Sequence, residues 1–150
     1  MKVLHFYKTY YPESYGGVQQ VIYQLAEGGV RHGIESGVLY LSRSKLHRND
    51  ELGQHRVFSV PLDFEIASTG FSFGVVSRFK QLAAQADLIH FHFPWPFMDL
   101  VYFLSGVKKP TVVSYHSDIV KQKYLLQLYR PLKRLFLRRV DAIVAASPAY

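Results

Sequence analysis

The residues with the most chemical scope in this sequence are a set of histidines, a glycine pair and a run of cations. His90 and His92 sit two apart in Leu88-Ile89-His90-Phe91-His92-Phe93, and His116 closes Thr111-Val112-Val113-Ser114-Tyr115-His116. Imidazole can exchange a proton near neutral pH, hydrogen-bond a ligand oxygen or ligate zinc. Two histidines spaced H-x-H plus a third reach the count for a zinc site, but no carboxylate beside them supplies a further ligand, so no metal is expected. The glycine pair lies in Tyr10-Tyr11-Pro12-Glu13-Ser14-Tyr15-Gly16-Gly17-Val18-Gln19, directly before a helical pattern. Backbone N–H groups at such a helix start can approach an oxyanion, helped by the helix dipole. A flexible turn explains Gly16 and Gly17 equally well, and both readings stand at this point. The spacing is neither the G-x-G-x-x-G of dinucleotide sites nor a Walker loop, since no lysine follows.

The cations gather late in the chain. Lys121, Lys123, Arg130, Lys133, Arg134, Arg138 and Arg139 fall in a helical pattern from about Ile119 to Arg139 without an acid, and their charge equals the net charge of +7. A helical wheel puts Tyr124, Leu125, Leu128, Leu132, Leu135 and Phe136 on one face, the expected core side. Lys123, Arg130, Arg134 and Arg138 take the other face, with Leu126 and Leu137 beside them. Cations mixed with exposed leucines suit an anionic bilayer surface; the alternative is a solvated basic face. Pro131 lacks an N–H and is expected to kink or restart the helix.

Short apolar runs alternating with helical patterns must position these residues. Strands are expected at Val3 to Tyr7, Gly37 to Leu41, Val57 to Val60, Leu88 to Phe93, Thr111 to Tyr115 and Ala142 to Ala146. They lack strict alternation, as strands covered on both faces should. Helices are expected over Val18 to Ala26, Val75 to Ala83, Met98 to Ser105 and the basic segment. The fold class is therefore α/β, a Rossmann-like parallel sheet with helices on both faces. In such sheets ligands bind beyond the carboxyl ends of the strands, which favours His92 and His116 as cleft residues and leaves His5 and His90 as packed core histidines. Pro94-Trp95-Pro96-Phe97, in the loop after the His92 strand, is the best candidate for stacking on a sugar ring. The polar stretch Ser42 to Gln54 reads as a solvated loop.

Composition narrows the function classes. At 150 residues, 49% hydrophobic and 19% charged, the chain is neither disordered nor fibrous. No apolar run approaches the roughly 18 residues of a membrane span, and residues 1–8 do not read as a signal peptide, so a cytoplasmic protein, peripheral on a membrane at most, is expected. Without cysteine there is no disulfide framework or thiol nucleophile. A pI near 9.6 calls for an anionic partner. Nucleic acid fits less well than membrane or a phosphorylated ligand, because the aromatic residues are scattered and the cations sit on one amphipathic helix; no nucleic acid partner is expected.

Taken jointly, the motifs resemble the N-terminal, acceptor-side domain of GT-B glycosyltransferases of family 4, the group 1 glycosyl transferases. Tyr11-Pro12 through Gly16-Gly17-Val18-Gln19, with Leu25-Ala26 and Arg31-His32-Gly33, resembles the family's opening segment. Asp87-Leu88-Ile89-His90-Phe91-His92 resembles its D-hydrophobic-hydrophobic-H-x-H strand. Residues Thr111 to Asp118 and Val140 to Ser147 resemble two later strands. The resemblance implies retaining, metal-independent transfer of a sugar from a nucleotide-sugar, with no cofactor. It places Gly16 and Gly17 against the donor diphosphate, Gln19 and His92 toward donor or acceptor, and His116 at the transferred sugar. It also makes the segment from Lys121 to Arg139 a device for reaching a lipid-linked saccharide acceptor at an anionic membrane, with Lys123, Arg130, Lys133, Arg134 and Arg138 in contact. Polysaccharide or O-antigen synthesis is the implied setting. The family's donor-binding C-terminal domain has no counterpart in residues 1–150, and Ser147-Pro148 reads as a helix start, so this is expected to be the front part of a larger protein and inactive alone. The competing reading is a non-catalytic binding module for anionic membrane or a phosphorylated ligand.

Overall fold

Each of the expected strands forms, and their order builds the cleft end. The structure, a computed structural model, describes residues 1–66, 69–116 and 123–145, with side chains of the last segment from residue 130. The strands are β1 (Lys2–Phe6), β2 (Glu35–Ser42), β3 (Asn49–Leu52), β4 (His55–Pro61), β5 (Phe64–Ile66), β6 (Thr69–Phe71), β7 (Leu88–Phe93), β8 (Thr111–Tyr115) and β9 (Ala142–Ala145). The helices are α1 (Gly17–Gly28), α2 (Val75–Ala84), α3 (Pro96–Ser105) and α4 (Lys123–Arg139). One sheet runs β3-β4-β2-β1-β7-β8-β9, parallel throughout except for β3, which pairs antiparallel with β4. The α/β Rossmann-like expectation holds.

Strand side chains alternate between two cores, so both faces read as apolar in sequence. On one face Leu4, Phe6, Leu39, Leu41, Ile89, Phe91, Phe93, Val113 and Tyr115 pack against Val75, Phe79 and Ala83 of α2, Met98 and Val101 of α3, and Phe136 of α4. On the other, Tyr7, Val38, Tyr40 and Val57 pack with Tyr10 and with Ile22 of α1. α1 ends at Gly28, and Gly33 closes the following turn at φ 76°, a left-handed conformation suited to glycine.

Two expectations are corrected, and one element had no expectation. The stretch from Ser42 to Gln54 contains β3, whose charged residues Asp50 and Glu51 are tolerated because it is an edge strand with exposed side chains. The hairpin β5–β6 is a separate two-stranded sheet. α4 runs through Pro131 as one helix, with Pro131 itself exposed.

Candidate functional site

Strand register puts five polar side chains in one row on the α1 face of the sheet. His5 of β1 pairs with His90 of β7, and His92 pairs with Ser114 of β8. Residues two apart on a strand share a face, so His90, His92, Ser114 and His116 line up beside His5. His116 lies just past β8, its N–H donating to the Phe93 carbonyl at 3.1 Å. The row therefore climbs toward the carboxyl ends of β1, β7 and β8.

Contacts within the row are close. His5 Nδ1 and His92 Nε2 share a hydrogen bond at 3.0 Å, and His92 Nδ1 and His116 Nε2 share another at 3.0 Å. His90 Nε2 bonds Ser114 Oγ at 2.6 Å, and the His90 ring lies over His92 at 4.4 Å between centroids and 11° between planes. Burial pushes His5 and His92 well below the usual imidazole range, His90 to about 4, and His116 downward. Neighbouring imidazoles add to the effect on His5, His90 and His92. At neutral pH these four rings are uncharged. His92 has no exposure at all, so its expected contact with donor or acceptor is corrected: it reaches a ligand only through His116, which is partly exposed.

His5, His90 and His92 each bring a nitrogen within 4.8 Å of the others. They do not suit one ion. A ligating lone pair lies in its ring plane, and the nearly parallel, stacked planes of His90 and His92 do not converge on a common point.

The loop from β1 to α1 is pinned rather than flexible. The Glu13 carboxylate accepts from Tyr40 Oη at 2.9 Å, Ser42 Oγ at 2.8 Å and the Ser44 N–H at 3.1 Å. Burial raises the Glu13 pKa, but these bonds outweigh it and hold the group below its usual value. Arg48 donates to the Tyr11 carbonyl at 2.8 Å and to Tyr40 Oη at 3.0 Å, and Tyr10 Oη bonds His55 Nε2 at 2.9 Å. Gln19, expected to face ligand, is buried instead; its amide donates to Thr9 Oγ1 at 2.7 Å and Ser14 Oγ at 2.9 Å, tying the loop to α1. Gly16 and Gly17 remain exposed at the start of α1, where no side chain caps the helix and no acid occupies the first turn. That leaves first-turn N–H donors for an outside acceptor.

Trp95 is a further correction. Its indole is fully buried and donates from Nε1 to the Gly70 carbonyl at 3.0 Å, so it cannot stack on a sugar. Among the described residues the most exposed aromatic side chains are Phe73, at 83%, and Tyr15, at 77%; no motif marked Phe73, and Tyr15 lies within the glycine-pair segment without having been singled out. Glu13, Tyr40 and Arg48 were also missed, because the bonds that tie them to the loop, Tyr40 to Glu13 and Arg48 to Tyr11, span 27 and 37 residues.

Residues 15–150 match the family described as Glycosyltransferase Family 4. The chain belongs to glycosyltransferase family 4. It is 55% identical over 150 residues to D-rhamnosyltransferase WbpZ of Pseudomonas aeruginosa and 51% identical to O-antigen chain mannosyltransferase C of Escherichia coli. All of this chain is matched, but only 39% and 40% of those relatives, so it spans about two-fifths of their length. Among solved structures, sucrose-phosphate synthase from Thermosynechococcus elongatus superposes with a TM-score of 0.70 at 16% identity, covering 98% of this chain and 42% of that one. An alpha-glucosyltransferase in complex with UDP and DNA gives 0.60 at 16% identity, covering 97% and 37%. The fold is that of the N-terminal part of GT-B glycosyltransferases.

In this family 4 chain the basic helix packs rotated from the expected wheel. Phe136 is fully buried, Leu132 and Leu137 pack against the core, and Leu135 is 51% exposed. The stripe Leu132–Phe136–Val140, at i, i+4, i+8, faces the sheet, which turns Leu135 outward beside the exposed Arg134, Arg138 and Arg139. Arg130 is exposed as well. Lys133 is corrected from the membrane face: its Nζ lies 5.5 Å from the Phe93 ring and 5.7 Å from the Tyr115 ring. Lys121 and Ser147-Pro148 lie outside the described residues, as does the side chain of Lys123. No helix among the described residues is long and apolar enough to cross a membrane.

Proposed function

We propose that the whole protein carrying this chain is a retaining, metal-independent glycosyltransferase with no cofactor. It would extend an O-antigen-type saccharide with a sugar such as D-rhamnose or D-mannose from a nucleotide-sugar donor. The observation that carries this reading is that the uncapped N–H groups at Gly16 and Gly17, reached from the carboxyl end of β1, and the neutral, partly exposed His116, just past the carboxyl end of β8, stand at the same end of a family 4 fold. The N–H groups suit the oxygens of a diphosphate leaving group, which takes the electron pair as the sugar C1–O bond breaks. The acceptor hydroxyl then bonds to C1 from the same face and gives its proton to the departing diphosphate oxygen. His116, uncharged, hydrogen-bonds the sugar and tolerates the positive charge that develops at C1, where a cationic imidazolium would oppose it.

This chain supplies the acceptor side, and a second domain supplies the donor pocket; residues 1–150 alone do not turn over. The acceptor is a lipid-linked saccharide, approached through Lys123, Arg130, Arg134 and Arg138 at an anionic membrane on the cytoplasmic face, and nucleic acid is not a partner. The relatives' names support saccharide transfer, and the cationic face of α4 supports the lipid linkage. The test incubates the whole protein with a lipid-linked saccharide and nucleotide-activated D-rhamnose or D-mannose, following the acceptor by mass spectrometry. Addition of one sugar that survives chelation and is lost in His116→Ala is expected. A His116→Ala variant as active as the parent would sink the role given to His116.

A further inference from the structure

The histidine row contains more than one side chain needs for contact with a sugar. His92 is wholly buried, yet both its ring nitrogens are engaged, by His5 Nδ1 and His116 Nε2, each at 3.0 Å. In both pairs the ring centroids lie 5.3 Å apart, close to the 3.0 Å N···N distance plus the two ring radii, so each hydrogen bond runs nearly in the planes of both partners. His90 is outside this series: it stacks on the face of His92 and is satisfied by Ser114. Tyr7 meets His92 edge-on at 6.4 Å and bonds none of the three rings.

A neutral imidazole carries one N–H and one lone pair. With both His92 nitrogens engaged, its two bonds cannot be chosen independently. If His5 donates from Nδ1, His92 accepts at Nε2 and donates from Nδ1, and His116 must accept at Nε2 and carry its proton on Nδ1. If His5 accepts, the series reverses, and the His116 Nδ1 is left as a bare acceptor. Burial disfavours the third arrangement, a cationic His92 donating at both ends.

We propose that His5 and His92 are positioning residues that form a coupled imidazole relay with His116, fixing which nitrogen of His116 carries the proton presented to the substrate. The proposal rests on the reading of His116 as the side chain at the transferred sugar. Its consequence is that His5, buried in β1, controls whether His116 offers the sugar a donor or an acceptor. Second partners set histidine tautomers in this way in many sites.

Nitrogen-15 NMR of the whole protein with labelled histidine tests the relay without reference to activity. Single-histidine variants assign the rings. Three neutral rings are expected, each with well-separated Nδ1 and Nε2 shifts that mark one tautomer. In His5→Phe the His116 shifts should move toward the averaged position, and in His5→Asn, which restores a hydrogen-bonding group near Nδ1, they should separate again. In transfer assays, His5→Phe should lower kcat about tenfold or more with little change in KM, short of the ~10⁴ that a wrong tautomer costs a serine hydrolase triad; His5→Asn should recover most of it. Averaged or cationic shifts in the parent protein would overturn the relay even if His5→Phe failed to fold, as would unchanged His116 shifts in a folded His5→Phe. A separate result, full activity in His116→Ala, removes the catalytic reading instead and leaves the NMR outcome standing.

Discussion

Neutral histidines packed in the sheet make the stability of this chain sensitive to acid. The folded His90 pKa is lowered to about 4 by burial and by His116, against about 6.5 in an unfolded chain. A folded pKa below the unfolded one means that the unfolded state takes up protons first as pH falls. Stability from His90 is therefore fully present above pH 6.5 and is lost as pH drops toward 4, and the deeper-buried His5 and His92 act in the same direction. Urea unfolding midpoints should fall between pH 7 and 5, and His90→Gln should flatten that fall; an equal slope in both proteins would refute the assignment. The H-x-H spacing showed that His90 and His92 share a face, because period 2 is built into a strand; the register that brings His5 and His116 into the same row comes only from the pairing of β7 with β1 and β8. The spacing did not show that His92 is sealed, since that depends on His5 and His116 closing over it from two other strands. Trp95 misled for a similar reason. Prolines on either side read as an exposed loop, while the indole packs against Phe6 of β1 and its N–H is satisfied by Gly70, 25 residues back. Trp95→Ala should cost about 3–5 kcal/mol in denaturant unfolding, the usual range for deleting a buried aromatic.

At the scale of elements, the loop from β1 to α1 gains its shape from partners that no local pattern reveals. Glu13 anchors it by accepting from Tyr40, Ser42 and the Ser44 N–H. Replacing that carboxylate by an amide turns one acceptor oxygen into a donor facing other donors, at a cost of about 1–3 kcal/mol. Glu13→Gln should speed hydrogen exchange of amides 10–20, which include the N–H groups at the glycine pair, while leaving β7 and β8 protected. Equal exchange in the loop would show that Gln19 and Arg48 suffice to hold it. The central strands and four helices were legible from periodicity. β3 was not, because an edge strand needs no apolar face, and the β5–β6 hairpin was not, because three-residue strands carry too short a pattern. α4 was legible as a helix but not in rotation. Its wheel has leucines on most sides, and only packing against Phe91 and Tyr102 decides that Phe136 turns inward and Leu135 outward.

For the whole molecule, the net charge of +7 is the widest-reaching property and α4 concentrates it. The helix leaves the carboxyl end of β8 and returns to the start of β9, so its first turns lie at the same end of the sheet as His116. A membrane held against Arg130, Arg134, Leu135 and Arg138 would thus bring a lipid-linked acceptor to the cleft side of the fold. Each cation near an anionic bilayer contributes about 1 kcal/mol. Changing Lys123, Arg130, Arg134 and Arg138 to Gln lowers the net charge from +7 to +3, which removes up to about 4 kcal/mol, or roughly a thousandfold in partitioning, at low salt. In co-sedimentation the parent protein should bind anionic vesicles, release from them as salt rises and ignore neutral ones, while the four-residue variant stays in solution. The exposed Arg130, Arg134 and Arg138 lie off the core stripe, so the variant should unfold at the same urea concentration as the parent. If the parent protein ignores anionic vesicles, family 4 membership and the fold are untouched, but the acceptor must then be a saccharide reached in solution, and the arginines of α4 become a solvated face.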